Sequence, residues 1–445
     1  MRIGVQEPRA RALLGRLLRA GLAAVDPRQA VSRVVSRTKA GVRIAGRRYD
    51  VRGSGKIVAV GAGKASAAMA LALEQRLGAR LAGGLVAVKR GAAAPAGRIT
   101  VVTAGHPVPD QAGRKAAMQV LALVKGLTRD DLLIVLLSGG ASSLLPLPAP
   151  GLTLADTQKT TELLLNSGAA IREINAVRKH LSAITGGRLA AVTGARVVTL
   201  ILSDVIGDDL GAIGSGPTAP DPTTYADACA ILRRFHIWNL VPVRVRRHLL
   251  RGRRGSLDET PKPGARLFRR VRHHVLGNNR TAVEAVCREA VRAGLRPHVL
   301  SRPMTGDVRE AAASFGRLAH KIVSCGKSVR PPACLIAGGE PTVVVRGRGR
   351  GGRAQEFALA AAMGIAGLPN IRIAGFGTDG SDGPTDAAGA VVDGGTVARA
   401  AQQGMDAAAF LRRHNAYSFF KRAGGHIVTG PTGTNVNDLY LMIVL

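Results

Sequence analysis

Aromatic residues, cysteines and long apolar runs are all scarce in this chain of 445 residues. Phe, Trp and Tyr make up only 3% of it, so stacking platforms for single-stranded nucleic acid are few. The four cysteines contain no C-x-x-C pair, which argues against a zinc site and a disulfide framework and favours a reducing cytoplasm. No apolar run approaches the roughly 18 residues of a membrane span. We therefore expect a soluble, cytoplasmic protein that does not contact the membrane.

Basic residues outnumber acidic ones: the chain has 63 Lys and Arg and 29 Asp and Glu, which gives a net charge of +34. Such an excess is typical of proteins that bind nucleic acid, and the stretch RGRGRGGR at Arg346–Arg353 points the same way. The basic residues are, however, scattered over most predicted helices and form no single tail. This distribution favours an enzyme with anionic small-molecule substrates, and nucleic-acid binding is the weaker alternative.

Apolar runs rich in Val and Ile alternate with helical patterns along most of the chain. This alternation predicts an α/β fold of two three-layer α/β/α domains, the N-terminal one with a Rossmann-like, mostly parallel sheet. The predicted domains are 1–250 and 271–445, joined by a linker at 251–270 that is rich in charge, Gly and Pro. An amphipathic first helix is expected to end before Asp26-Pro27. The predicted strands include Leu132–Leu137, Val271–Leu276 in the second domain, and Thr342–Val345.

The stretch VAVGAGKAS, Val58–Ser66, runs from a predicted buried strand through glycines into a helix. It is not a Walker loop, because Ala65 follows Lys64 where a hydroxyl is needed and Val58 replaces the first glycine. Nor is it a dinucleotide fingerprint, which needs a third glycine at Ser66. A helix N-terminus with a nearby lysine still attracts anions, so Gly61, Gly63 and Lys64 are candidate phosphate-binding residues. A plain tight turn fits these residues equally well.

Further loops at predicted strand ends carry polar and acidic residues. The loop from Ser138 to Ser142 offers amides and hydroxyls to an anion. Asp204, Asp208 and Asp209 could bind a cation or take a substrate proton, although some aspartates there serve only as turn residues. Aspartates 379, 382 and 386 are weaker metal candidates, and threonines 429, 432 and 434 suit contacts to phosphate. His106 and His180 are expected to be structural. This set of groups is what phosphoryl transfer requires.

Seven motifs, in order along the chain, resemble the class II glycerate kinases, also called the MOFRL or glycerate 2-kinase family. They are GHPVPDQAG, SGGASSLL, REINAVRKHLSAITGGRLA, LSDVIGDDLGAIGSGPTAPDPTTYADA, GGRAQEFALA, TDGSDGPTDAAGAVVD and TGPTGTNVNDL. The resemblance implies ATP-dependent phosphorylation of D-glycerate to 2-phosphoglycerate, with Mg²⁺ as cofactor, in a cleft between two α/β domains. An alternative is a hydroxypyruvate reductase, a label that such proteins often carry. Whether the protein forms a homodimer stays open.

The resemblance also implies roles for individual residues. Lys64, Arg353 and Asp204 would be catalytic, and Asp204 would also be a metal ligand with Asp209 and, more weakly, Asp379 and Asp386. The residues implied to bind glycerate or nucleotide are Gly61, Gly63, Ser138, Gly139, Gly140, Ser142, Thr432 and Asn435. The sequence departs from the family pattern at Ala354, where asparagine is usual, and at Pro341 and Ala141.

Overall fold

The computed structural model describes residues 1–5, 7–51, 53–91, 97–325 and 329–445. The chain forms two compact units, which we name by their place in the sequence. The central unit is Pro27–Leu276, and the terminal unit combines Met1–Asp26 with Gly277–Leu445. Within the described residues, no helix has both the length and the apolar character needed to cross a membrane.

The central unit contains a six-stranded sheet and a small three-stranded sheet. Its strands are β2 (Val35–Arg37), β3 (Gly41–Ile44), β4 (Arg47–Asp50), β5 (Ile57–Ala62), β6 (Leu81–Lys89), β7 (Ile99–Ala104), β8 (Leu132–Leu137), β9 (Arg196–Leu202) and β10 (Val271–Gly277). Its helices are α2 (Pro27–Val34), α3 (Ser66–Leu77), α4 (Gln111–Lys125), α5 (Ala141–Leu144), α6 (Leu154–Asn166), α7 (Ile171–His180), α8 (Arg188–Ala191), α9 (Tyr225–Arg234) and α10 (Val243–Arg253).

The large sheet of the central unit has the strand order β10-β9-β8-β5-β6-β7. The β9–β8, β8–β5, β5–β6 and β6–β7 pairs are all parallel, which confirms the predicted α/β fold with a mostly parallel sheet. Successive residues of β8 alternate between two apolar clusters, one on each face of the sheet. Because both faces are covered, a run of six consecutive buried apolar residues such as LLIVLL is stable in a strand.

The terminal unit is also α/β, but its sheet is mixed. Its strands are β1 (Arg2–Ile3), β11 (Arg296–Val299), β12 (Ala333–Gly339), β13 (Ile371–Gly377), β14 (Gly389–Asp393), β15 (His426–Val428) and β16 (Asp438–Val444), in the order β1-β15-β14-β13-β16-β12-β11. Among the strand pairs of the described residues, β11–β12 is parallel and the others are antiparallel. Its helices are α1 (Pro8–Ala24), α11 (Asn279–Arg292), α12 (Val308–Cys325), α13 (Arg353–Gly364), α14 (Thr396–Gln402), α15 (Ala407–Arg412) and α16 (Ala416–Ala423).

The first helix was placed in the wrong domain by the sequence-based boundaries. Helix α1 ends before Asp26-Pro27, as expected, but it belongs to the terminal unit. Its buried side chains Leu14, Leu17 and Leu18 share an apolar cluster with Val283 and Val286 of α11. The strand Val271–Leu276 was predicted in the second domain. It belongs to the central unit instead, because β10 extends the sheet of that unit beside β9.

The segment 251–270 is not a linker, because it packs within the central unit. Glu259 accepts hydrogen bonds from the Tyr225 amide at 2.8 Å and the Lys262 ammonium at 2.9 Å, and it also contacts His180 Nε2 at 3.1 Å. Thr260 is buried. A composition rich in Gly, Pro and charge was therefore misleading here, because specific polar contacts order the segment without a periodic apolar face.

The predicted strand Thr342–Val345 is also wrong. The backbone there makes a single isolated bridge between Thr342 and Asp307, and Val344 and Val345 are exposed. The run of β-branched residues favours a strand by its propensity, but within the described part of the chain no strand pairs with it.

Candidate functional site

The turn between β5 and α3 presents Lys64 at the carboxyl edge of the central sheet. Gly63 has a φ of +138°, and a Cβ there would lie 2.1 Å from Ser138 Oγ, so only glycine fits this approach. The Lys64 amide donates to Gly139 O at 2.9 Å, and the Ala65 amide donates to Ser138 Oγ at 3.0 Å. The turn is thereby fastened to the loop that follows β8.

These contacts change the expected way in which the turn would bind an anion. The Gly63 and Ser66 amides donate to Ala87 O and Gly63 O, so the four consecutive amides from Gly63 to Ser66 all have partners within the protein. The buried Ser138 hydroxyl is likewise committed to the Ala65 amide. The positive charge of this turn is on the side chain of Lys64, which is partly buried.

The loop after β8 packs against the ring of a histidine. Gly140 has a φ of +87°, and a Cβ there would lie 2.7 Å from the ring of His106, which follows β7. Burial lowers the pKa of His106, and the positive charges of Lys64 and Lys89 lower it further. At neutral pH the imidazole is therefore uncharged. It can donate one hydrogen bond to a ligand or accept one, and it adds no positive charge to that of Lys64 and Lys89.

Asp204 follows the carboxyl end of β9 and is partly buried. Since β7, β6, β5, β8 and β9 are parallel neighbours, the loops carrying His106, Lys64, Ser138–Ser142 and Asp204 all leave the same edge of the sheet. Asp209 is exposed, and its Oδ1 accepts the Gly211 amide at 2.9 Å, as in an Asx turn. The structure thus brings the predicted residues of the central unit to one edge.

In the terminal unit, Arg353 is the first residue of α13 and is held by two carboxylates. Its Nε donates to Asp438 Oδ2 at 2.5 Å and its Nη2 to Asp438 Oδ1 at 3.2 Å, while Nη1 donates to Glu340 Oε1 at 2.7 Å. Burial disfavours the charge of the guanidinium, but the buried Asp438 outweighs this effect and raises the pKa of Arg353. Asp438 was not predicted as a site residue, although it ends the TNVND segment and begins the last strand, β16.

The aspartates after β13 have separate partners and do not converge. Asp382 is buried and accepts the Ala354 and Gln355 amides at 3.0 and 2.8 Å, so it caps α13. Asp379 Oδ1 accepts the Ser381 amide at 3.1 Å, and the exposed Asp386 accepts the Tyr417 hydroxyl at 2.8 Å. Across the described ranges, no group of three or more His, Cys, Asp and Glu side chains is arranged to hold a metal ion.

The threonine loop before β16 is tied to the loop after β13. Thr432 donates its hydroxyl to Thr378 O at 2.5 Å, and its amide donates to Asp379 O at 3.3 Å. Asn435 is partly buried, and its Oδ1 accepts the Asn437 amide at 3.4 Å. The Thr432 hydroxyl is thus already used as a hydrogen-bond donor. Toward a ligand it could act only as an acceptor. Binding roles for Thr432 and Asn435 stay predictions.

The fold and the sheet edge define a class of protein. A lysine and two glycine loops at the carboxyl edge of a parallel α/β sheet are typical of enzymes that bind nucleotides and phosphorylated substrates. Two family descriptions match the chain: "Domain of unknown function (DUF4147)" over residues 13–250 and "MOFRL family" over residues 333–438.

Comparison with individual proteins gives the same result along nearly the full length. The chain is 40% identical over 430 residues to a glycerate 2-kinase from Pyrococcus horikoshii, with 96% of each chain covered. It is 42% identical over 438 residues to an Agrobacterium vitis protein that carries hydroxypyruvate reductase as a provisional name, covering 98% of this chain and 94% of that one. A crystal structure of glycerate kinase from Thermotoga maritima matches with a TM-score of 0.87 at 36% identity, covering 99% and 100% of the two chains. The chain belongs to the glycerate 2-kinase family with the MOFRL domain.

Proposed function

We propose that the protein transfers the γ-phosphoryl group of ATP to D-glycerate and forms 2-phosphoglycerate in the cytoplasm. The observation that carries the proposal is the placement of Lys64 at the carboxyl edge of the sheet, in a chain that is 40% identical to a glycerate 2-kinase. The substrates we propose are glycerate and ATP, and the scattered positive charge of the chain suits both anions.

The chain's own groups have distinct tasks in this reaction. The Lys64 ammonium, on a turn whose amides are all engaged, acts as a point charge on the oxygens of the transferred phosphoryl group. Asp204, at the end of the neighbouring strand β9, orients the attacking hydroxyl and accepts its proton. Arg353 is held rigidly by Asp438 and Glu340, which prepares its guanidinium to stabilise negative charge without reorganisation.

A divalent cation fits the donor set of the central unit. Mg²⁺ in phosphoryl-transfer sites is held by one or two carboxylates together with substrate phosphates and waters, so a cage of protein ligands is not required. Asp204 and Asp209 lie on the same loop and offer carboxylate oxygens of this kind, and we propose them as the ligands. When bound, the ion neutralises charge on the phosphate oxygens. Asp379 and Asp386 are the weaker candidates, because they follow β13 of the terminal unit and do not share the loop that carries Asp204.

The test is an assay of ADP release from ATP, Mg²⁺ and D-glycerate, with the product identified by phosphorus NMR. We expect 2-phosphoglycerate from the native protein and a loss of at least about 100-fold in kcat for Lys64→Ala, because one preorganised charge is removed from the transition state. Lys125→Ala, which removes an exposed lysine at the end of α4, is the matched control and should retain activity. Consumption of NADH or NADPH with hydroxypyruvate, without any ADP formation from glycerate, would overturn the proposal in favour of a reductase.

A further inference from the structure

A large cavity lies in the central unit beside the Gly139–Gly140 loop. Its volume is about 770 Å³, and His106, Gly140, Ser142 and Ser215 form a polar part of its wall. This volume is in the range of pockets that enclose drug-sized ligands and exceeds what a three-carbon acid fills. Glycerate alone therefore leaves the size of the cavity unexplained.

The rest of the wall is largely apolar and reaches the surface. Val108, Leu165 and Ile171 line the cavity and are 64%, 61% and 62% exposed. Exposed large apolar side chains that gather at one cavity are a feature of binding sites for ligands with an apolar surface. A small, fully polar hydroxy acid would gain little from them, whereas a flat heterocyclic base would bury its faces there.

The same cavity is lined by an arginine without a counter-ion. Arg178 on α7 is partly buried, and within the described ranges no carboxylate lies at ion-pair distance from its guanidinium. Its neighbour Lys179 shows the contrast, because Lys179 Nζ is buried with Asp221 Oδ1 at 3.4 Å. Burial lowers the pKa of Arg178. Withdrawing a guanidinium from water is costly unless an anion compensates it, which indicates that the anion comes with the ligand.

A row of hydrogen bonds runs from α7, one turn before Arg178, to the carboxyl edge of the sheet. Asn175 lies one turn before Arg178 on α7, and its Oδ1 accepts the Ser215 hydroxyl at 3.1 Å. Ser215 Oγ lies 2.9 Å from Ser142 Oγ, on the loop whose Gly139 carbonyl accepts the Lys64 amide. From the cavity to the sheet edge, the groups in order are the apolar wall, Arg178, the serine hydroxyls and the lysine. An elongated ligand with an apolar end and several anionic groups matches this order.

We propose that this cavity binds the adenosine part of ATP, with the base against Val108, Leu165 and Ile171 and with Arg178 on a phosphate oxygen. The inference rests on the proposed kinase function, and it assigns a nucleotide specificity to α6, α7 and the loop after β7. Arg178 is then a nucleotide-binding residue that acts before chemistry, and glycerate is bound elsewhere.

Equilibrium binding of ATP to the full chain, without glycerate, tests the assignment. Arg178→Ala should weaken ATP binding by at least about tenfold and raise the KM for ATP without changing the KM for glycerate. Arg178→Lys, which keeps the charge, should recover part of this loss. Arg172→Ala is the matched control, since Arg172 lies on the same helix, is exposed and does not line the cavity. Circular dichroism of each variant separates loss of binding from loss of folding.

A second variant addresses the apolar wall. Leu165→Glu places a charge where the base should lie, at an exposed position that tolerates it structurally, and should weaken binding of both ATP and adenosine. Unchanged ATP affinity in Arg178→Ala, or an effect on the glycerate KM alone, overturns the nucleotide assignment even if the native enzyme is an active kinase. A native protein that binds ATP through Arg178 but phosphorylates no glycerate would instead refute the proposed function.

Discussion

Asp438 accepts two N–H groups of Arg353 through its two carboxylate oxygens, at 2.5 and 3.2 Å, and also the Tyr440 hydroxyl at 2.8 Å. The carboxylate is buried at the start of β16, whereas Arg353 retains some exposure at the start of α13. Glu340 completes the arrangement from the exposed side. The family resemblance implies that Arg353 is catalytic. Its guanidinium is positioned by the buried Asp438, which the sequence alone did not identify as a site residue.

The two partners of Arg353 should differ sharply in mutational effect. Asp438→Asn breaks a buried ion pair and should lower the free energy of unfolding by about 3 kcal/mol, because the guanidinium loses its buried partner. Glu340→Gln removes a 43% exposed partner and should cost less than about 1 kcal/mol. Urea unfolding of the two variants measures the difference. Equal losses would mean that Asp438 does not hold the arginine as described.

The pH dependence of stability should report on Asp382. Burial raises the pKa of this carboxyl to about 7, and the charge of Asp438 adds to the rise, although the Gln355 and Ala354 amides oppose it. Because the folded pKa lies above the unfolded value of about 3.8, the folded state binds the proton more tightly between these limits. Stability should therefore fall as pH rises from about 4 to 7, by an amount on the order of a few kcal/mol.

The Asp382→Asn variant, which cannot ionise, should lose most of this slope. Urea midpoints measured at intervals from pH 4 to pH 8 provide the comparison with the native protein. A residual slope is expected from Asp438, whose pKa is also raised by burial. A native protein whose stability stays level or increases over this range would contradict the assignment.

Alanine substitutions at two glycines with positive φ allow the effect of a steric clash to be compared with that of backbone strain. Gly63→Ala would bring a Cβ to 2.1 Å from Ser138 Oγ, whereas Gly46→Ala, at a φ of +81°, meets nothing within 4 Å. Alanine at the φ of Gly46 costs about 1 kcal/mol of backbone strain, and the φ of +138° at Gly63 costs more, because it lies further from the left-handed helical region. Gly63→Ala should add further destabilisation and displace Lys64, which would lower kcat. Thermal unfolding and the ATP assay check both effects, and indistinguishable variants would refute the close approach.

The ordering of 251–270 can be tested by limited proteolysis. Glu259→Ala removes the acceptor of the Tyr225 amide and the Lys262 ammonium, so the segment should become accessible to trypsin at its arginines and lysines. Because the Glu259 side chain is 36% exposed, solvent screens these contacts and the loss in unfolding free energy should be only about 1 kcal/mol. Asp258→Ala, at the exposed neighbour, is the control and should leave the digestion rate unchanged.

Local patterns predicted the central sheet well and long-range partners poorly. Strand β8 was predicted over its full range, since LLIVLL is apolar on both faces and needs no knowledge of its neighbours. The membership of α1 depends on α11, more than 250 residues away, and no property of the helix itself reveals that contact. The error at 251–270 has a similar origin, because Glu259 reaches back to Tyr225 and His180.

For the site, sequence motifs located the loops but not the use of each polar group. Gly63 and Lys64 stood out by their position after a buried strand. The Ser138 hydroxyl accepts the Ala65 amide, and Asp382 caps α13. Both roles depend on hydrogen-bond geometry, which the sequence motifs do not specify. Arg178 looked like one of many basic helix residues, and only the cavity distinguishes it from the paired Lys179.

The order of the two units along the chain has a consequence for biosynthesis. The central unit is continuous in sequence, so the synthesis of its strands is complete once Gly277, the last residue of β10, has been added. Helix α1 emerges first, yet its partner α11 begins at Asn279 and the strand that pairs with β1 lies at His426–Val428. Its leucine face therefore lacks its native packing partner until the chain beyond Asn279 has been synthesised, after the whole central unit.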